Sequence, residues 1–149
     1  MNTSGWALVT GASSGIGEQF ARALADRNQN LILAARSQNK LEALVGELQR
    51  ACGIEAESFP CDLSSEGADE HLAQSVIERG RQVSLLINNA GFGARWEPWK
   101  LSLERQTQMI RLHLAALLEL SHYFLPGMIE KCHGGIINVS SMTGFQPIP

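Results

Sequence analysis

Residues 6–17 read Trp6-Ala-Leu-Val-Thr-Gly-Ala-Ser-Ser-Gly-Ile-Gly17, and their order decides the fold. Trp6 to Thr10 are apolar until the last residue, the pattern of a short buried strand. Gly11, Gly15 and Gly17 follow at once, and from Ile16 the apolar residues Phe20, Ala23 and Leu24 recur at helical spacing to about Arg27. Strand, glycine turn and helix start in that order make an arrangement for gripping a phosphate. Backbone N–H groups at a helix N-terminus point at the ligand, and the helix dipole favours its negative charge. Glycine is needed where a Cβ would block the tight turn or keep a pyrophosphate from the backbone. On this reading Gly11, Ser13, Ser14, Gly15, Ile16 and Gly17 form the phosphate-facing wall.

Outward from this turn, strands and helices alternate. Leu31 to Ala35 form a second apolar strand ending at Arg36. Ser37 is placed to cap a helix carrying Leu41, Leu44, Val45 and Leu48, which Gly53 stops. Ile54 to Phe59 alternate as a third strand before Pro60-Cys61-Asp62. Ser64 or Ser65 is the expected cap of a helix with Ala68, Leu72 and Val76 on one face. Val83 to Ile87 are a fourth strand leading into Asn88-Asn89-Ala90-Gly91. After an irregular stretch, Phe92 to Lys100, Ser102 can cap a long helix with Met109, Leu112, Ala116, Leu120 and Phe124. Pro126-Gly127 is expected to kink or end it. A fifth strand, Ile136 to Val139, runs into Ser140-Ser141.

Such alternation means βαβ units, a parallel sheet and right-handed crossovers, an α/β doubly wound fold. The expected strand order 3-2-1-4-5 sets the first and fourth strands side by side at the topological switch point. The glycine turn and Asn88-Asn89-Ala90-Gly91 then line one crevice, where such sheets bind ligands.

Composition narrows the function. The chain has 149 residues, 44% hydrophobic and 18% charged, with formal net charge −3. That length suits one domain, and those fractions describe an ordinary globular protein, neither disordered nor membrane-spanning. The acidic balance gives no basis for nucleic-acid binding. Neither a basic, apolar leader nor a membrane partner is indicated, so the expected location is cytoplasmic. Three scattered cysteines, Cys52, Cys61 and Cys132, suggest neither disulfides nor a metal site.

Cofactor choice turns on the end of the second strand. A carboxylate there would hold an adenosine ribose 2′-OH. Leu33-Ala34-Ala35-Arg36 has none, and Arg36 instead offers a guanidinium to a 2′-phosphate. Ser13 and Ser14 are placed to add hydrogen bonds. The cofactor expected is NADP, with NAD the weaker candidate.

The string Thr10-Gly-Ala-Ser-Ser-Gly-Ile-Gly17 resembles the cofactor loop of the short-chain dehydrogenase/reductase family. Asp62-Leu63, Asn88-Asn89-Ala90-Gly91 and Asn138-Val139-Ser140-Ser141 match three further family motifs in order. The resemblance implies a Rossmann-like fold and hydride transfer between a nicotinamide and a small-molecule carbonyl or alcohol. It places Asp62 and Leu63 at the adenine, has Asn89, Ala90 and Gly91 line the cofactor, and makes Ser141 the catalytic serine. It also implies a homo-oligomer built on the long helix.

Two departures from the family pattern stand out. His113 occupies the place of a family asparagine that supports a proton relay; a histidine there either relays protons or only fills the site. The general acid/base pair, Tyr-x-x-x-Lys, is expected downstream of Ser141 and does not occur by Pro149. Tyr123, the single tyrosine, has no lysine four residues on. The expectation is therefore an incomplete sheet of about five strands, the front part of a longer enzyme. The alternative is a nucleotide-binding module without catalysis. A third reading, hydrolysis through Gly11-Ala12-Ser13-Ser14-Gly15, lacks a convincing Asp and His pair downstream of Ser13.

Overall fold

The computed structural model describes residues 5–93 and 100–141. Five strands, β1 (Trp6–Thr10), β2 (Asn30–Ala35), β3 (Ala56–Pro60), β4 (Val83–Asn88) and β5 (Gly135–Asn138), form one sheet in the order β3-β2-β1-β4-β5. Every pairing is parallel. The expected order 3-2-1-4-5 is the observed one.

Period-two alternation sends side chains of each strand to two separate cores. From β1, Trp6 and Leu8 join Ile32, Leu72, Val76, Leu86, Leu120 and Phe124. Ala7 and Val9 join Leu31, Leu33, Leu41, Leu44 and Ile87 on the opposite face. The first face is covered by α3 (Ala68–Glu78) and α5 (Ala116–Glu130), the second by α1 (Gly15–Ala25) and α2 (Gln38–Cys52). Leu8, Leu31, Ile32 and Leu33 are wholly buried. Each such side chain contributes about 1.5–3 kcal/mol by leaving water. Burial on both sides is why the central strands read as continuous apolar runs.

Local signals explain most boundaries. Ser37 precedes α2, and Gly53 ends it in the left-handed conformation at φ +68°. Ser102 Oγ accepts the Arg105 N–H at 3.2 Å and starts α4 (Leu103–Ile110). Three expectations need correction. First, α3 starts at Ala68 after Gly67, not at a Ser64 or Ser65 cap. Asp62 takes those serines: its Oδ1 accepts from Ser64 N at 3.0 Å and Ser64 Oγ at 2.7 Å, and Ser65 N donates to Asp62 O. An Asx turn wins over a longer helix there. Second, the long helix runs through Pro126 to Glu130. Pro126 removes one helical donor, but buried Phe124 and Met128 on either side keep the last turn on the sheet. Third, α1 ends at Ala25, two residues before Arg27.

A π turn, Arg111–Ala115, joins α4 to α5 and carries His113. Leu103–Glu130 is long and apolar enough to cross a membrane by length and composition. Its inner side, Ala116, Leu120, Phe124 and Met128, is packed on the sheet.

Candidate functional site

The carboxyl ends of β1 and β4 meet at the switch point, and Thr10 ties them together. Its hydroxyl accepts from Asn89 N at 2.9 Å and Ala90 N at 3.0 Å, and donates to Ile87 O at 3.2 Å. Asn89 Nδ2 returns to Thr10 O at 2.9 Å and lies 3.4 Å from Gly11 O. The glycine turn and Asn88-Asn89-Ala90-Gly91 are therefore one bonded unit. Thr10, 1% exposed, is a site-building residue that the sequence reading passed over. Its signal was a polar residue ending an apolar strand.

The three glycines do different work. At Gly11, φ +68°, a Cβ would come within 2.9 Å of Ala90 Cα and Asn89 Nδ2. At Gly17 it would strike the Gly11 carbonyl oxygen, with Asn89 Nδ2 at 2.5 Å. Both glycines let the turn close on Asn89. Gly15, φ +58°, faces open space, with nothing within 4 Å of the Cβ position. Ser14 is the N-cap residue of α1, yet its side chain makes no capping bond. First-turn N–H groups have no partner within a helix, so here they remain for a ligand. An uncapped helix start beside open space at Gly15 fits the phosphates of a dinucleotide. Ser13 is half-buried, and Ser14 and Ile16 are exposed at the same rim.

Arg36 is exposed directly after β2. Asp62 follows β3, and buried Leu63 lies behind it. Burial alone would raise the Asp62 carboxyl. The two Ser64 hydrogen bonds, and then the charges of Arg36 and Arg105, outweigh it and hold the group below the usual carboxylate range. Beside it, burial first and then Asp62 push the Cys61 thiol up to about 11.

On the other side of the crevice, Gly91 packs against the His113 ring, where a Cβ would approach Cε1 to 2.7 Å. His113 Nε2 is 3.0 Å from Phe92 O, and the two rings lie 6.0 Å apart. π turns inside helices are frequent at functional sites because they re-aim one side chain. Here the π turn carries His113, whose ring is engaged with Phe92. A narrow cleft lined by Thr10, Leu63, Asn88, Ala90, Leu112 and His113 runs beneath.

Asn88, 6% exposed, donates through Nδ2 to Asn138 Oδ1 at 2.9 Å and to Ser121 Oγ at 3.3 Å. The Asn88 carbonyl accepts the Val139 N–H at 2.9 Å. These bonds anchor the end of β5, from which Ser140 and Ser141 emerge exposed. Ser141 thus lies at the β5 end of the crevice, with Arg36 and Asp62 at the β2–β3 end.

Parallel order, an uncapped glycine turn bonded to Asn89, and a serine after β5 describe a dinucleotide crevice with a polar group at its far end. A family model described as short chain dehydrogenase matches residues 5–149. The chain belongs to the short-chain dehydrogenase family.

Among curated relatives of this short-chain dehydrogenase chain, hydroxysteroid dehydrogenase-like protein 1 of Gallus gallus is 36% identical over 146 residues. That match covers 97% of this chain and 44% of the relative. Very-long-chain 3-oxoacyl-CoA reductase of Bos taurus is 30% identical, over 97% of this chain and 47% of its own length. The chain thus spans about half the length of the curated relatives it matches. Among solved structures, a metagenomic short-chain oxidoreductase in complex with NADP superposes with TM-score 0.91 at 36% identity, covering 99% of this chain and 66% of that one. A short-chain dehydrogenase from Sphingobium yanoikuyae in complex with NADPH gives TM-score 0.90 at 32% identity, covering 96% and 56%. The chain is a Rossmann-like member of an oxidoreductase family that includes NADP- and NADPH-bound structures.

Proposed function

We propose that this chain is the cofactor-binding part of an NADP-dependent reductase that transfers hydride between a nicotinamide and a small carbonyl or alcohol. The observation that carries the NADP reading is Arg36: an exposed guanidinium directly after β2, with no carboxylate at the strand end. A ribose 2′-OH asks for an acceptor at that point, and a 2′-phosphate asks for a cation. Gly11, Ser13, Ser14, Gly15, Ile16 and Gly17 would hold the pyrophosphate. Asp62 and Leu63 would meet the adenine, and Asn89, Ala90 and Gly91 would floor the site. When bound, the cofactor supplies or accepts the hydride.

The protein's part in that reaction is orientation. Ser141 would hydrogen-bond the substrate carbonyl and hold it for transfer. His113, engaged with Phe92 O, would support the loop after Gly91. The span of about half its relatives' length supports reading the chain as the front part of a longer enzyme, with the acid/base pair downstream of Ser141. Loss of an acid/base group typically costs about 10²–10⁴-fold in rate, so the chain to residue 149 binds cofactor with little or no turnover. A cytoplasmic homo-oligomer fits the reading. Exposed Leu103, Ile110, Leu114, Leu118, Leu125 and Ile129 along one helix supply an apolar surface for a second copy.

Arg36→Asp tests the assignment. Its expected effect, read by fluorescence titration of reduced cofactor, is a reversal of preference from NADPH to NADH. An unchanged ratio of the two affinities would remove Arg36 from cofactor choice.

A further inference from the structure

The chain leaves β4 through Asn89-Ala90-Gly91-Phe92. The near end of this segment is fixed to β1, where the Thr10 hydroxyl accepts from Asn89 N and Ala90 N. Its far end is fixed twice over, by two successive helical elements. A carbonyl can only accept, so His113 Nε2 on the π turn donates to Phe92 O, at 3.0 Å. From α4, Arg105 Cζ lies 3.7 Å from the centroid of the Phe92 ring. Between the two anchors, Gly91 lies under the imidazole, where a Cβ would come within 2.7 Å of His113 Cε1.

Arg105 is itself held in place. Ser102 Oγ accepts its N–H at 3.2 Å and sets the first turn of α4. Nη1 donates to Gln108 Oε1 at 3.3 Å, one turn further on. Arg105 and Phe92 are both half-buried. The cap fixes the backbone and Gln108 fixes the head, so a planar cation is aimed at the ring. The face of an aromatic ring carries the negative part of its quadrupole and attracts that cation. A guanidinium is also more weakly hydrated than an ammonium, so it loses little by lying on carbon.

We propose that Arg105 is a positioning residue for the cofactor floor: stacked on Phe92, it fixes the outer end of Asn89-Ala90-Gly91-Phe92 before the cofactor arrives. The proposal rests on the nicotinamide-dinucleotide reading above. A floor less firmly held at Phe92 must be ordered during binding, and that ordering subtracts from affinity. Arg105 acts through the loop and not on the ligand, so it strengthens NADPH and NADH binding alike. That separates it from Arg36, which sets the ratio between them.

The test is a double-mutant cycle on cofactor affinity, run once circular dichroism shows that the variants fold. Wild type, Arg105→Met, Phe92→Leu and the double variant are titrated with NADPH and with NADH. Arg105→Met keeps an apolar stem and removes the planar cation; Arg105→Gln replaces it in the cycle if it does not fold. Each single variant should weaken both nucleotides by about threefold to thirtyfold, the range of one cation–π contact. The double variant should bind no more weakly than Phe92→Leu, because Arg105 then has no ring to hold. Arg105→Lys, which keeps a cation over the ring, should recover most of the loss. Wild-type affinity in Arg105→Met overturns the positioning role alone. So do losses that add in the double variant, which would give Arg105 a separate contact, or an Arg105→Lys as weak as Arg105→Met. A loss confined to NADPH also overturns it, by placing Arg105 on the 2′-phosphate. A wild-type chain that binds neither nucleotide overturns the cofactor reading and this assignment with it.

Discussion

Thr10 carries more of the site than its single hydroxyl suggests. It accepts from two backbone N–H groups after β4 and donates to a carbonyl within that strand. Thr10→Val keeps the shape and removes all three bonds. Each group left without a partner costs about 1–3 kcal/mol, so the variant should melt several degrees lower by circular dichroism; an unchanged melt would mean the two turns are held elsewhere. The glycines separate stability from binding in the same way. Gly17→Ala puts a Cβ against the Gly11 carbonyl, backbone that has no room to move, and should both destabilise the fold and abolish cofactor binding. Gly15→Ala meets nothing, and its cost is the positive φ, about 1–2 kcal/mol. It should fold and bind weakly, a split seen by comparing melts with titrations. The glycine spacing was legible in the sequence, and so was its use as a turn. The obstacle that Gly11 and Gly17 share, Asn89, was not, because it lies far along the chain and is brought close only by the sheet.

At the scale of elements, strands and α2 were legible because apolar period and end signals agreed: Ser37 before α2, Gly53 after it, apolar runs in β1, β2 and β4. Legibility failed where two local interactions competed. Asp62 captured the serines expected to cap α3, and packing of Phe124 and Met128 carried α5 past Pro126. The π turn had no warning in the sequence, since one extra residue in a helical turn shifts register without changing composition. Between α3 and α5 lies a further feature with a pH consequence. Asp69 is 2% exposed, and its Oδ2 has no hydrogen-bond donor among the described residues. Glu119 on α5 faces it. A hydrogen bond with Asp69, then burial, then the charges of Asp69 and Glu70 raise the Glu119 carboxyl above its usual range, and Arg111 opposes them. A carboxyl raised in the folded state contributes stability at low pH and loses it as pH climbs through the folded pKa. The wild-type chain should therefore lose stability relative to Glu119→Gln as pH rises above the ordinary glutamate range and through the raised folded value. Melts of the two proteins between pH 4 and 8 should diverge on raising pH; parallel profiles would deny that Asp69 raises the Glu119 carboxyl.

For the whole molecule, β5 lies at one edge of the described sheet with Ile137 40% exposed, while Leu103, Leu114, Leu118 and Ile129 are each more than 60% exposed along one helix. Apolar surface of that extent marks an interaction face. Light scattering should find the chain associated at micromolar concentration, and Leu114→Glu with Leu118→Glu should shift it towards monomer without lowering the melt; a wild-type monomer would count against the homo-oligomer. Composition and motif order made the domain and its crevice legible, whereas the tie of Thr10 to Asn89 and Ala90 was not, because those residues are joined only by folding. Under the proposed function this crevice holds NADP in preference to NAD. Titration of the wild-type chain with NADPH and NADH, following reduced-nicotinamide fluorescence, tests it most directly. A charge-assisted contact from Arg36 to the 2′-phosphate predicts NADPH bound about tenfold or more tightly than NADH; equal affinities, or tighter NADH, would contradict it.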